Sequence, residues 1–375
     1  MLRMDRRLFE HFDFILLLLI LLVCGMAMFN LYSASYPPKV FGTPPYLKQL
    51  YFLLMGFAAC LFLLSFDYQN LHVLNYPCYA LIVILLLVAY FVGSEAGGAQ
   101  RWINLGFFKL QPSEPAKLML VISLASYYSR KEELGGYSLK QLIMPITLTA
   151  LPFLLILMQP DLGTALMLGI IFVSMTVFVK LKFSTYAILG GTGLSCVLFA
   201  WEKLLKPYQK QRIQTFLNPE ADQMGHGYQI MQSKIAVGSG GKLGKGYMEG
   251  TQGHLHFLPE RHTDFAFSVW GEEWGFVGSL FFLGCYFFML LWGLHVALHA
   301  RDRFGVLLAY GVVMLIFWQA VINLLMILGF LPVVGIPLPL VSYGGSSLLT
   351  TLLALGILMN VRMRRFHVGH GQDVG

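Results

Sequence analysis

Long apolar runs separated by short polar breaks dominate the chain. The first, FILLLLILLVCGMAMF at Phe14–Phe29, carries no charge and approaches the ~20 apolar residues that take a helix across a hydrocarbon core. Similar runs recur. The pattern predicts ten spans, at about 12–34, 46–66, 72–92, 114–129, 141–158, 163–180, 184–201, 274–298, 304–330 and 341–361. The joins carry helix breakers such as YPPKVFGTPP, RKEELGGYS and QPDLG. The expected fold class is therefore all-α, a polytopic membrane protein of about ten transmembrane helices, with 1–375 as a single integral membrane domain. The first run is too long for the apolar core of a signal peptide, and NLYSASYPP leads from it straight into another apolar helix, so it reads as a span.

Composition agrees. Charged residues make up 12% of the chain, about half the ordinary share of ~25%, and mean hydropathy is +0.67. The net charge of +7 does not indicate nucleic acid, because the basic residues cluster at span ends. Thirteen Lys and Arg (Arg3, Arg6, Arg7, Arg130, Lys131, Lys140, Lys180, Lys182, Arg301, Arg303, Arg362, Arg364 and Arg365) fall on one side. The short loops of the other side hold five, Lys39, Lys48, Arg101, Lys109 and Lys117. The positive-inside rule then places both termini in the cytoplasm and the long loop 202–273 outside. Cys24, Cys60, Cys78, Cys196 and Cys285 all lie in apolar segments and read as small buried hydrophobes, without a disulfide framework.

Loops longer than about 12–15 residues are usually functional or disordered, and this one is too rich in apolar and aromatic residues for disorder. GYQIMQSKIAVGSGG (Gly227–Gly241) has the spacing of an amphipathic helix lying on the membrane surface or on the bundle. VGSGGKLGKGYMEG lacks the P-loop spacing and reads as a flexible, anion-friendly strip. His254 and His256 form an H-x-H without a third ligand in view. Beyond them, FLPERHTDFAFSVWGEEWG (Phe257–Gly275) crowds Glu260, Arg261, His262, Asp264, Glu272 and Glu273 into one stretch. Asp264 falls at the membrane boundary beside aromatic residues, where desolvation would lift its pKa towards the range of a general base. The alternative is an interfacial Asp paired with Arg261 or with a cation on another loop.

Other polar residues converge on the same side. In AQRWINLGFFKLQPSEPAKLML (Ala99–Leu120), Ser113 is placed to cap the fourth span, with Glu114 and Lys117 on one helix face. They read either as a local ion pair or as a pair at the mouth of a charged-substrate cavity. Asp161, in MQPDLGTAL, stands at a tight turn between the fifth and sixth spans, as a helix cap would. Arg101 and Arg212 are external arginines, suited either to gripping phosphate or to facing headgroups. GFLPVVGIPLPLVSYGGSS (Gly329–Ser347) is Pro- and Gly-rich backbone at membrane depth. It reads as a re-entrant wall or a packed external turn. Asn323, in the ninth span, is expected to bond another helix.

Six motifs, GAQRWI, QPSEPAKL, QPDLGTA, GYQIMQSKIAVGSGGKLGKG, FLPERHTDFAF and GIPLPLVSYGGSS, occur in order over nearly the whole chain. Together they resemble the SEDS family of bacterial peptidoglycan polymerases. FLPERHTDF with Arg261, GTQ at Gly250–Gln252 and the short N-terminus are more similar to its elongation branch than to its division branch. The resemblance implies a peptidoglycan glycosyltransferase that polymerises lipid II into glycan strands during cell elongation, with inversion at the reacting carbon. Asp264 corresponds to the family's essential external Asp. Glu114 and Lys117 correspond to its QPSEPAKL pair, and Asp161 to its QPDLG Asp. Lys117, Arg101 and Arg212 are expected to stabilise the departing pyrophosphate, with Glu114 orienting Lys117. Implied partners are lipid II, the nascent glycan strand, a class B penicillin-binding protein, the elongation machinery and membrane lipids, but no nucleic acid. No cofactor is evident in the chain, although the resemblance implies a divalent cation, Mg or Mn. Competing readings are a lipid II flippase or lipid-linked substrate transporter, and a scaffold without chemistry. Against a transporter, no inverted repeat is visible.

Overall fold

The computed structural model describes residues 12–365 apart from 37–42, 97, 98, 105, 107, 132, 134, 205, 220, 221, 223, 224, 255 and 256. Arg3, Arg6, Arg7, Lys39 and His256 lie outside the described residues, as do the side chains of Cys196 and His254. The elements in order are α1 (Phe14–Ala34), α2 (Pro45–Leu64), α3 (Gln69–Val92), β1 (Ser94–Ala96), β2 (Ala99–Asn104), β3 (Lys109–Leu110), α4 (Ser113–Arg130), α5 (Leu139–Met158), α6 (Leu162–Phe178), α7 (Phe183–Phe199), α8 (Pro207–Leu217), α9 (His226–Ser239), α10 (Thr251–His254), α11 (Ala266–Leu298), α12 (Arg303–Ile327) and α13 (Gly345–Met363). A helix stands at each of the ten predicted spans. Seven of them are long and apolar enough to cross a membrane by length and composition alone. The other three are α6 and α7, each 17 residues long, and α4, whose charged residues dilute its hydropathy.

Burial explains why α4 tolerates that charge. It is buried from Ser113 to Ser126 on nearly every face, so protein surrounds it and lipid does not. It packs against α12, and α12 in turn against α11 and α13, while α13 lies on α2. The span window of α13 is 78% buried and that of α3 only 11%, so α13 is central and α3 faces lipid. Polar bonds tie α3 to its neighbours. Ser123 Oγ donates to Asn75 Oδ1 at 2.8 Å, and the Tyr79 hydroxyl to the Leu148 carbonyl at 2.8 Å. Each such bond within a membrane contributes about 0.6 kcal/mol. Between α3 and α4 lies a three-stranded antiparallel sheet in the order β1-β2-β3, where the sequence predicts only a loop. Its strands of three, six and two residues are too short to carry a readable alternation.

The boundary of the long loop differs from expectation. Helix α11 begins at Ala266, well before 274, and has 33 residues, about 50 Å, against a hydrocarbon core of ~30 Å. It is broken at Gly275, whose φ of 63° lies in the left-handed region. The part before the break is buried in protein. The part after it exposes Phe276, Val277, Leu280 and Phe281. A broken helix leaves carbonyls and amides without intrahelical partners. Here the glycine-rich strip supplies them: Lys245 N–H donates to Glu272 O, Gly246 N–H to Glu273 O, and Phe276 N–H to Gly241 O, at 2.9–3.1 Å. The contact is so close that a Cβ on Gly275 would stand 2.2 Å from Gly244 N. The strip is therefore a packed clasp over the kink, not the flexible segment expected. Trp270 Nε1 adds a bond across the break to Gly278 O at 3.1 Å.

The amphipathic segment forms α9 and lies on the bundle, with Ile230, Ser233 and Ala236 buried against it. The Pro/Gly-rich segment 328–344 is non-helical and buried at Val333, Ile336, Leu338, Leu340 and Val341. Protein partners satisfy its backbone. Asn323 Nδ2 donates to Ile336 O, Gln49 Nε2 to Ser342 O, and Leu338 N–H to Ser342 Oγ. Burial in protein is one of the two settings, with the lining of a watery cavity, in which irregular backbone persists at membrane depth.

A side chain at Gly275 combines left-handed strain of about 1–2 kcal/mol with overpacking of about 1–3 kcal/mol. Gly275→Val is expected to lower the apparent melting temperature of the purified protein clearly. Gly25→Ala, where nothing lies within 4 Å of the added atom, is expected to leave it unchanged or slightly higher.

Candidate active site

The charged stretch Phe257–Gly275 folds into two groups with different tasks. Glu272 is fully buried. Its carboxylate accepts from Lys245 Nζ at 2.6 Å, from Thr251 N–H at 2.8 Å and Oγ at 3.0 Å, and from Gln252 N–H at 3.1 Å. Glu273 accepts from the Ser33 hydroxyl of α1. These two carboxylates fasten the clasp and α10 to α11. Lys245 is spent on Glu272.

The second group faces the segment 328–344. Asp264 lies in the turn before α11, and its carbonyl accepts from Asn323 Nδ2 at 2.9 Å, the same nitrogen that holds Ile336 O at 2.8 Å. Asn323 thus ties two loops to α12 and does not bond a neighbouring helix as expected. The half-buried carboxylate of Asp264 looks onto Gly335, where φ is 71° and a Cβ would stand 3.7 Å from Oδ2. Burial, reinforced by the negative charge of Glu260, raises its pKa to about 6, and the positive charge of Arg212 on α8 works in the opposite direction. His262 is bound to the same segment, because Tyr343 N–H donates to its carbonyl at 2.8 Å. Burial pushes its imidazole pKa down. Arg261 is buried with Nη2 3.4 Å from Tyr36 O and forms no ion pair with Asp264, whereas Arg212, elsewhere in the long loop, is the cation whose charge acts on Asp264.

Asp161 caps α6, accepting from Thr164 N–H at 3.2 Å and from its hydroxyl at 3.0 Å. Arg101 reaches over from β2. Its Nε donates to Gln159 O at 2.9 Å, an Nη donates to Pro160 O, and Nη1 lies 3.8 Å from Asp161. Arg101 thereby caps the end of α5 and fixes the Asp161 turn. Two residues on, a Cβ at Gly163 would meet Val334 O at 2.5 Å and Ile336 Cγ1 at 3.4 Å. The Asp161 and Asp264 turns therefore both abut the stretch Val334–Ile336.

Glu114 and Lys117 form a buried ion pair at 2.8 Å in the first turn of α4, with side chains 5% and 2% exposed. The pair uses one of the three N–H groups of the ammonium. Ser113 does not cap this helix. It occupies the first helical position, and its hydroxyl is buried without a partner. Among the described residues no three His, Cys, Asp or Glu side chains converge as a metal-ligand set.

Buried carboxylates, an internal ion pair and irregular backbone enclosed by protein at membrane depth define a polytopic helical membrane protein that keeps its charge inside the bundle. A family profile described as cell cycle protein, FtsW/RodA/SpoVE, matches residues 12–367. The peptidoglycan glycosyltransferase MrdB of Escherichia coli K12 is 40% identical over 76% of this chain and 77% of its own length. A protein of Trichlorobacter lovleyi named as an FtsW-type peptidoglycan glycosyltransferase is 37% identical over 96% and 95%. Among solved structures, one described as showing structural coordination of polymerization and crosslinking by a peptidoglycan synthase complex matches with a TM-score of 0.81 at 33% identity, covering 95% of this chain and 99% of that one. The crystal structure of the rod shape determining protein RodA of Thermus thermophilus matches with a TM-score of 0.70 at 30% identity, covering 95% and 98%. The chain belongs to the FtsW/RodA/SpoVE family of SEDS polymerases, and it is a peptidoglycan glycosyltransferase.

Removing one partner of a buried ion pair strands the other charge and costs about 3–5 kcal/mol, whereas replacing both with apolar groups is close to neutral. Glu114→Met and Lys117→Met are each expected to lower thermal stability strongly, and the double substitution to recover most of it. Melting curves of the three purified variants check this.

Proposed function

We propose that the protein polymerises lipid II into glycan strands on the outer face of the cytoplasmic membrane, with Asp264 as the general base. The observation that carries this reading is the half-buried Asp264 carboxylate, which faces the Gly335 turn and has a pKa raised to about 6. The acceptor sugar's 4-hydroxyl attacks the donor's anomeric carbon. The new glycosidic C–O bond forms as the bond to undecaprenyl pyrophosphate breaks from the opposite face, which inverts the configuration. The hydroxyl proton passes to Asp264, and the electron pair leaves with the pyrophosphate. The substrate arrives activated, so no ATP is needed outside the cell.

Charge builds up on the leaving diphosphate, and fixed cations stabilise it best where water is scarce. Lys117, oriented by Glu114, and Arg212 supply that charge. Arg101 and Asp161 act one step removed, by holding the turn that supports Val334–Ile336. Both termini face the cytoplasm, as the distribution of Lys and Arg supports. A class B penicillin-binding protein is the partner that cross-links the product, a reading supported by the solved neighbour's coupling of polymerization with crosslinking. The motif details favour a role in elongation over division.

Asp264→Asn keeps the backbone carbonyl that Asn323 holds, so it should fold, bind lipid II and make no glycan polymer from labelled substrate. Normal polymerisation by this variant would end the assignment, and lipid II movement across liposomes without polymer would favour a transporter. A base must be ionised, so the polymerisation rate should fall about tenfold per pH unit below pH ~6 and level off above it. Removing the charge of Glu260 (Glu260→Gln) should move that acid limb to lower pH, and Arg212→Gln should move it to higher pH.

A further inference from the structure

Within the segment 328–344, Val333 and Ile336 are buried, yet Gly335 between them is exposed. Other glycines nearby serve close packing. At Gly163, Gly240, Gly244 and Gly275 an added Cβ would stand 2.0–2.5 Å from the backbone of another segment. Gly335 differs, because the same atom there would have one neighbour within 4 Å beyond the adjoining residues, Asp264 Oδ2 at 3.7 Å. Its φ of 71° accounts for a glycine but not for the open space in front of it. Among the described residues nothing bonds its N–H or its C=O, whereas Ile336 O and Leu338 N–H beside it are both held. Facing it, the Asp264 carboxylate accepts no hydrogen bond from the described residues. One side chain sets the width of this gap. Asn323, 1% exposed, gives one amide nitrogen to Asp264 O and Ile336 O together, and so holds the two walls at a fixed separation.

Chemistry narrows what fills the gap. A hydroxyl donating to a carboxylate stands about 2.5–2.7 Å from it. A reacting hydroxyl there is nearer Oδ2 than a side chain at 335 would be, and the carbon skeleton behind it lies across the bare backbone. A sugar suits such a wall, because its ring hydroxyls both donate and accept, matching one free N–H and one free C=O. A diphosphate does not, since it is repelled by the carboxylates of Asp264 and Glu260, whose charges already act on each other here. We propose that the acceptor sugar of the polymerisation lies over Gly335, with its 4-hydroxyl in the gap before Asp264 and neighbouring hydroxyls on the free peptide groups. Gly335 is then a specificity-determining residue, admitting a pyranose ring where any side chain would stand against the base. The proposal rests on the reading of Asp264 as that base.

The test uses the purified full chain in detergent with two substrates: labelled lipid II, and lipid II whose 4-hydroxyl is methylated, which can donate but not accept. Gly335→Ala puts a methyl group in the gap. It should polymerise lipid II about 100-fold more slowly, yet retain the methylated form in native mass spectrometry as well as the wild type does. Gly106→Ala controls for strain, since its φ is 88° and nothing lies within 4 Å of the added atom; it should polymerise normally. Near-normal polymerisation by a folded Gly335→Ala would overturn the proposal, as would an equal loss of the methylated form. The wild type supplies an independent measurement should Gly335→Ala not fold. A lipid-linked disaccharide with a photoreactive diazirine in place of the 4-hydroxyl should label Val334–Ile336, and labelling confined to other segments would overturn the proposal. Asp264→Asn should be labelled at the same place, because occupancy does not need the base. An Asp264→Asn that is labelled there and still makes polymer would reject the base and uphold the position of the sugar.

Discussion

Backbone amides and carbonyls that leave a helix beside or within a membrane must find partners in protein, because the bilayer offers none. Among the described residues, Gly275 and the segment 328–344 are two places where the backbone leaves the helix, and the surrounding loops are arranged around them. At Gly275 the glycine-rich clasp replaces the bonds lost to the kink, and Glu272 fixes the clasp in turn. In the segment 328–344 the replacements are side chains, chiefly Asn323, Gln49 and Ser342. Asn323 joins the second break to the functional group, since one amide nitrogen holds both Ile336 and Asp264. The position of the proposed base is therefore set by the need to satisfy a loop.

Much of the fold was legible in the sequence because the bilayer imposes a simple rule. An uninterrupted apolar run of sufficient length must be a helix, and each such run is one. The breaks at QPDLG and in the Pro/Gly-rich segment were equally visible, since those residues cannot continue a helix. What could not be read was which polar groups meet across distant loops. Glu260, Asp264, Glu272 and Glu273 look alike along the chain, yet two of them fasten a clasp and one faces the Gly335 turn. The difference comes from α9, α10 and the strip at Gly240–Gly246, whose contacts with α11 no local pattern encodes. Gly275 could have been flagged, because a helix running from Ala266 to Leu298 is too long for one span. Its left-handed conformation depends on Gly244 approaching from the other strand of the loop.

Candidate residues fared differently for a similar reason. Glu114 and Lys117 are three apart on one helix, so their pairing is local and was readable. Ser113 was misjudged as a cap, because Gln111 and Pro112 carry the chain into the helix one position earlier than the Ser-x-x pattern suggests. Arg101 was read as an external cation, and its grip on the end of α5 depends on the unpredicted strand β2 lying across that turn.

Helix α3, with 11% of its span window buried, has a mechanical consequence. Its 24 residues make about 36 Å of helix, longer than a hydrocarbon core of ~30 Å. Such excess length is accommodated by leaning, and leaning is cheap for a helix held to the core at a few points, among them Asn75, Tyr79 and the Leu86 carbonyl that Gln159 Nε2 holds. Bilayer thickness would then be absorbed at this outer rod, leaving the tightly enclosed α4, α12 and α13, and the loops they support, undisturbed by the lipid around them.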